Sequence, residues 1–136
     1  MRILIAEDDR VSQRILAAAL GRYGVCTVAS GGAEALELFE SSWSSNQSFG
    51  LVCLDISMPE LSGIEVAKRI RGFEIQRGVP ATEHVPIVIA TGLEDDRYFL
   101  AAHEAGSSWY LRKPVERAAL EALMGDLGIQ PIASSR

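Results

Sequence analysis

The stretch that decides the fold runs from Leu51 to Gly63 and reads LVCLDISMPELSG. Its first four residues, Leu51–Leu54, are all apolar, with no polar position between them. A strand with one wet face alternates, so an unbroken apolar run of this length marks a strand covered on both faces. The run ends on Asp55, and Pro59 soon after argues against a continuing strand. Ser62 to Glu65, SGIE, then has the S-x-x-E spacing of a capping box, which satisfies the first free N–H groups of a helix. The segment therefore predicts a buried strand, an acidic strand end, a stiff turn and a helix.

The same unit recurs along the chain. Short apolar runs, most of them rich in β-branched residues, appear at Ile3–Ala6, Val25–Ala29, Ile87–Ala90 and Trp109–Leu111. Helical spacing lies between and after them: Val11, Ile15 and Ala19; Leu36 and Phe39; Val66, Ile70 and Phe73; Leu120, Leu123 and Leu127. A weaker helix around Phe99–Ala105 ends at Gly106, a suitable residue just past a helix terminus. Ser30 is the expected cap of the second helix, and Asp95 or Asp96 that of the fourth. Alternating strands and helices imply a parallel sheet with helices on both faces, and right-handed crossovers leave a few doubly wound topologies. Residues 40–50 and 74–86 read as long polar connections, the first carrying Trp43 as a partly packed surface residue.

Composition narrows the function. A chain of 136 residues suits one domain, expected over residues 1–127 with a C-terminal tail at 128–136. The net charge of −5 argues against a nucleic-acid surface, which needs clustered Lys and Arg. Cys26 and Cys53 match no metal spacing and read as reduced core residues, which fits a cytoplasmic location. No apolar run approaches the roughly 20 residues of a membrane span, so no membrane partner is expected. His84 and His103 are isolated and read as surface residues.

In a parallel sheet all strands end on one edge, and ligands bind there. Glu7, Asp8 and Asp9 follow the first strand, Asp55 ends the third, Thr91 ends the fourth, and the fifth leads into Lys113-Pro114. Two carboxylates about 5 Å apart at an effective dielectric near 20 repel by roughly 3 kcal/mol. Protonation, Lys113 or a bound cation relieves that repulsion. Hard oxygens with partial access to water suit Mg2+.

These residues carry a resemblance. AEDD after the first strand, LDISMPELSG after the third, IATG at the fourth and YLRKP at the fifth resemble the receiver domains of bacterial two-component response regulators, over about residues 1–127. The resemblance implies an α/β, flavodoxin-like, doubly wound five-stranded parallel sheet of order 2-1-3-4-5. It implies that Asp55 accepts a phosphoryl group from a sensor histidine kinase or a histidine phosphotransfer protein. It implies a Mg2+ ion held by Asp8, by Glu7 largely through water, by Asp55 and by the Ser57 carbonyl. Lys113 pairs with Asp55 before transfer and with the phosphoryl oxygens after it, Thr91 binds a phosphoryl oxygen, and Tyr110 is the aromatic switch. Lys113-Pro114 carries a cis peptide. The fourth helix, fifth strand and fifth helix, with Tyr98, His103, Tyr110 and Leu111, form the expected surface for a downstream protein target or an attached output domain. Such a protein is not an enzyme beyond its own phosphorylation and slow dephosphorylation. Ser57 and Leu93 lie where the family varies its rate of phosphate loss, while Gly92 and Val115 replace a frequent Ala and Phe.

Other readings are a phosphorelay intermediate, a pseudo-receiver that works without phosphate, and an Asp-nucleophile phosphatase of the haloacid-dehalogenase kind. The last wants a second Asp where Ser57 stands. A nucleotide or flavin binder lacks its Gly-rich motif. The chain reads as a stand-alone receiver or a piece of a longer regulator, with stand-alone favoured.

Overall fold

The computed structural model describes residues 1–92, 96–107 and 109–132. Strands and helices alternate: β1 (Arg2–Ala6), α1 (Arg10–Leu20), β2 (Val25–Ala29), α2 (Gly32–Ser44), β3 (Leu51–Asp55), α3 (Gly63–Gln76), β4 (Ile87–Thr91), α4 (Asp96–Glu104), β5 (Trp109–Arg112) and α5 (Arg117–Asp126). The sheet is parallel throughout, in the order β2-β1-β3-β4-β5. Ala6 lies opposite Ala29 and Leu54, Asp55 opposite Ala90, and Thr91 opposite Arg112, so the C-terminal strand ends line up along one edge. No helix among the described residues is long and apolar enough to cross a membrane.

Alternation along the central strands sorts the core into two layers. Leu4, Ala6, Val52, Leu54, Ile87 and Ile89 pack with Phe39 of α2, Val66 and Ile70 of α3 and Ala102 of α4. Ile3, Ile5, Leu51, Cys53, Val88 and Leu111 pack with Leu16 and Leu20 of α1 and Leu120 and Met124 of α5. All five residues of β3 and of β4 are buried, which explains why their sequences do not alternate. Leu111 therefore belongs to the core and not to the outer surface expected for it.

Several local expectations are corrected. In α1 the inward face is Leu16 and Leu20, while Val11 and Ile15 are 65% and 49% exposed. Both stripes have four-residue spacing, so period alone could not choose between them. The cap of α2 is Gly31, and Ser30 instead donates its N–H to Glu34 Oε1 at 2.9 Å. Ser62 does cap α3, accepting from the Glu65 N–H at 3.2 Å. Asp95 and Leu93 lie outside the described residues, and Asp96 is the first residue of α4.

The two long connections are partly structured. Residues 40–44 continue α2 and set Trp43 edge-on to Phe73, with ring centres 5.7 Å apart. Residues 74–76 continue α3 and bury Glu74, and a 3-10 turn covers Ala81–Glu83. Glu74 accepts from Arg71 Nη1 and from the Val85 N–H, each at 2.7 Å. Arg71 also donates twice to the Gly106 carbonyl, at 3.1 and 2.9 Å. A carboxylate this deep survives only when paired and hydrogen-bonded, and here it ties the entries of β4 and β5 to α3. His84 is half-buried within this network, its Nε2 3.0 Å from the Val79 carbonyl, whereas His103 is exposed. The chain beyond α5 turns back, with Ile129 on the core and the Ile132 N–H bonded to the Arg22 carbonyl at 2.7 Å.

Gly63 fixes how α3 meets the strand end. A Cβ there would lie 2.2 Å from the Asp55 carbonyl oxygen, so only glycine lets the helix start sit against β3. The Gly63 N–H bonds the Ile56 carbonyl at 3.1 Å across this close approach. Gly63→Ala is expected to cost about 2–3 kcal/mol, as backbone must shift to admit the methyl group. A shift in the urea midpoint checks this, with Gly72→Ala, which meets open space on the same helix and is expected to stabilise by about 1 kcal/mol, as the comparison.

Candidate functional site

The strand register gathers the polar strand ends. The loop after β1 supplies Glu7, Asp8 and Asp9, β3 supplies Asp55, β4 supplies Thr91, and the loop after β5 supplies Lys113. Carboxylate oxygens of Glu7, Asp8 and Asp55 lie within 4.8 Å of one another. Glu7 and Asp55 are buried and Asp8 is exposed, so the cluster has a deep side and an open side. Lys113 Nζ pairs with Glu7 Oε1 and stands 3.3 Å from Asp55 Oδ1.

Asp9 belongs to a different task. It caps α1, its Oδ2 accepting from the Ser12 N–H at 2.8 Å, and that bond lowers its pKa. Its own N–H donates to Glu7 Oε2 at 3.1 Å, which helps to hold Glu7 in place. Of the carboxylates that the sequence assigns to this edge, Glu7, Asp8 and Asp55 are brought together and Asp9 is turned away.

The electrostatics follow from this geometry. Burial pushes the pKa of Asp55 up; Lys113 pulls it down, and Glu7 and Asp8 add to the rise. Burial pulls Lys113 down, but its bonds and charges with Glu7 and Asp55 prevail and hold it above its usual range. Beneath them, burial holds the Cys53 thiol protonated, its pKa pushed up to about 12. Three carboxylates thus face one ammonium. Excess negative charge on hard oxygens, with one ligand open to solvent, fits a divalent cation with part of its water shell.

Thr91 is buried at the end of β4, and its carbonyl accepts from the Lys113 N–H at 3.0 Å. That bond fixes the start of the lysine loop, whose Lys113-Pro114 peptide is cis. Ser57 is exposed just past Asp55. Tyr110 is half-buried with its ring centre 3.8 Å from that of Phe99, and its buried hydroxyl has no hydrogen-bond partner among the described residues. On α1, Ile15 and Leu16 line with Pro114 and Val115 a small apolar cavity that reaches Lys113.

Because folding raises the pKa of Asp55, the folded state holds a proton more tightly than the unfolded chain does. Stability from this group is therefore present at low pH and is lost as pH rises through the folded pKa. Asp55→Asn is expected to raise the melting temperature at pH 7 without divalent cations, because it removes the charge that burial disfavours. Thermal unfolding at pH 7 and pH 4 checks this, and the gain should shrink at the lower pH.

Comparison with known proteins agrees with this arrangement. Residues 3–124 match the response regulator receiver domain. The chain is 28% identical over 126 residues to the osmosensing histidine protein kinase SLN1 of Saccharomyces cerevisiae, covering 91% of this chain and 10% of the kinase. It is 33% identical over 122 residues to the transcriptional regulatory protein AfsQ1 of Streptomyces coelicolor, covering 88% of this chain and 48% of that protein. It thus spans half or less of the length of these relatives. A similar structure is the co-crystal of the Saccharomyces cerevisiae histidine phosphotransfer signaling protein Ypd1 with the receiver domain of its downstream response regulator Ssk1. That match has 32% identity and a TM-score of 0.80, over 94% of this chain and 88% of the other. With its sheet order, its acidic strand ends and a match over most of its length, the chain belongs to the response regulator receiver domain family.

Proposed function

We propose that this receiver is phosphorylated on Asp55 by a phosphohistidine donor, and that residues 1–127 act as the signalling unit. The observation that carries the reading is the placement of Asp55 within 3.3 Å of the Lys113 ammonium and beside Glu7 and Asp8. An Asp55 oxygen attacks phosphorus as the P–N bond breaks. The electron pair stays on the donor imidazole, which then carries a proton from solvent. Phosphoryl transfer asks for positioning and charge neutralisation rather than covalent help, and Lys113 offers both. Asp8, Asp55, Glu7 and the Ser57 carbonyl would hold Mg2+, which when bound neutralises charge on the phosphoryl oxygens.

The response to phosphate runs through Thr91 and Tyr110. New phosphoryl oxygens offer acceptors to the Thr91 hydroxyl and to Lys113. The Tyr110 hydroxyl, which has no partner among the described residues, supports a switch at that ring. Leaving a buried hydroxyl unpaired costs about 1–3 kcal/mol, which a ring placement that pairs it would recover. Tyr98, Phe99 and Tyr110 then belong to a face of α4, β5 and α5 that changes on phosphorylation and meets a protein target or an output domain. The phosphoryl group shifts this equilibrium only by its different contacts in the two states.

The donor docks beside α1. The exposed Ile15 lines, with Leu16, Pro114 and Val115, an apolar cavity that reaches Lys113, and a protein delivering phosphate would stand against it. The likeness to a receiver crystallised with a histidine phosphotransfer protein supports a partner of that kind.

Two measurements test this reading. Acetyl phosphate with Mg2+ should add one hydroxylamine-labile phosphoryl group, and Asp55→Asn should abolish it. Labelling that persists in Asp55→Asn would sink the assignment. Ile15→Asp should slow transfer from a phosphorylated histidine phosphotransfer protein by about tenfold, the loss of ~1.4 kcal/mol of docking energy. It should leave labelling by acetyl phosphate unchanged, because the small donor needs no docking surface.

A further inference from the structure

Gln13 lies in the first turns of α1, and nothing in the chemistry above uses it. Its side-chain Nε2 is 2.7 Å from the Glu7 carbonyl oxygen and 3.3 Å from the Ser30 hydroxyl. A carbonyl oxygen can only accept, so the amide must present its NH2 end to Glu7. One side chain thus joins three pieces: α1, the acidic loop after β1, and the end of β2.

The Glu7 carbonyl belongs to the peptide group between Glu7 and Asp8. The tilt of that peptide sets the directions in which both carboxylates leave the backbone. On the near side, the Glu7 N–H is fixed by the Ala29 carbonyl at 3.0 Å. On the far side, Asp9 is fixed by its cap to the Ser12 N–H and by its own N–H to Glu7 Oε2. Asp8 is exposed, so packing does not orient it. Between the two anchored ends, the bond from Gln13 is what restrains the peptide itself.

We propose that Gln13 is a positioning residue for the cation site, holding the Glu7–Asp8 peptide so that both carboxylates converge with Asp55. This rests on the reading of the acidic cluster as a Mg2+ site. Groups that hold metal ligands in place from behind typically change affinity by about tenfold or more when removed. The contribution to folding is separate, because the helix here is held by the Gln13 backbone N–H to the Asp9 carbonyl at 2.9 Å, which a side-chain change leaves intact.

The test is Gln13→Met, which keeps length and helix propensity but removes the donor. Mg2+ binding is followed through the amide resonances of residues 7–9 during titration with MgCl2, and thermal unfolding is measured without metal. The expected result is a dissociation constant about tenfold weaker, with little change in the metal-free melting temperature. A second variant, Gln13→Glu, separates orientation from charge. Added negative charge alone would tighten Mg2+ binding, whereas loss of the donor weakens it, and weakening is expected. Wild-type affinity in Gln13→Met overturns the inference, as does tighter binding in Gln13→Glu. If the wild-type protein itself binds no Mg2+ at millimolar concentration, the metal reading falls, and this inference falls with it.

Discussion

The Lys113 ammonium is the contact on which the rest of the site depends. It lies between Glu7 and Asp55, two carboxylates that the sheet buries side by side. Burial and the neighbouring carboxylates raise the pKa of Asp55, and the ammonium works against that rise. Even so, three clustered carboxylates face a single lysine. That imbalance makes the open side of the site compatible with a divalent cation. The lysine is held in turn by backbone, since its N–H is bonded to the Thr91 carbonyl, so the residue that balances the charge and the residue that ends β4 share one hydrogen bond.

The two edges of the sheet are built for different purposes. The C-terminal edge concentrates charge that folding by itself does not favour. The opposite edge is closed by a charge network that is fully paired: Glu74, Arg71, the Val85 N–H and the Gly106 carbonyl. This clamp fixes where β4 and β5 begin, and therefore where Thr91 and Lys113 emerge. In α4, the buried Ala102 lies towards the clamped end, with buried Ala105 just past it, while Leu100 is exposed and Tyr98 and Phe99 are half-buried. Residues 98–100 are thus less firmly packed than the clamped end of that helix.

Legibility in the sequence varied with how local the physics was. Each strand showed as an apolar run, and β3 and β4 showed as unbroken ones because both of their faces are covered. Glu7, Asp8, Asp55, Thr91 and Lys113 could be gathered from sequence because parallel strands end together, whatever the details of packing. The inward stripe of α1 was not legible, since Val11-Ile15 and Leu16-Leu20 have the same spacing and only the direction of the helix relative to the sheet separates them. Glu74 was assigned to a polar connection, because nothing in a lone glutamate announces an arginine three residues before it folding over the same turn. Trp43 was placed in a loop, as Ser-rich sequence hid the last turns of α2.

By itself, then, the amino-acid sequence determined the alternation of strands and helices, the carboxylate at the end of β3 and the set of chemical groups that meet at one edge. These follow from period, from turn chemistry and from the common polarity of parallel strands, all of which are properties of short stretches. Tertiary structure decided what those groups do to one another. It set Asp9 to capping rather than to the cluster, gave Lys113 two partners, left Val11 and Ile15 facing outward and buried the Tyr110 hydroxyl. It also laid Gln13 across the backbone of the acidic loop. Those outcomes depend on distances between residues far apart in the chain. Such distances are fixed only when the helices pack and the strands find their register.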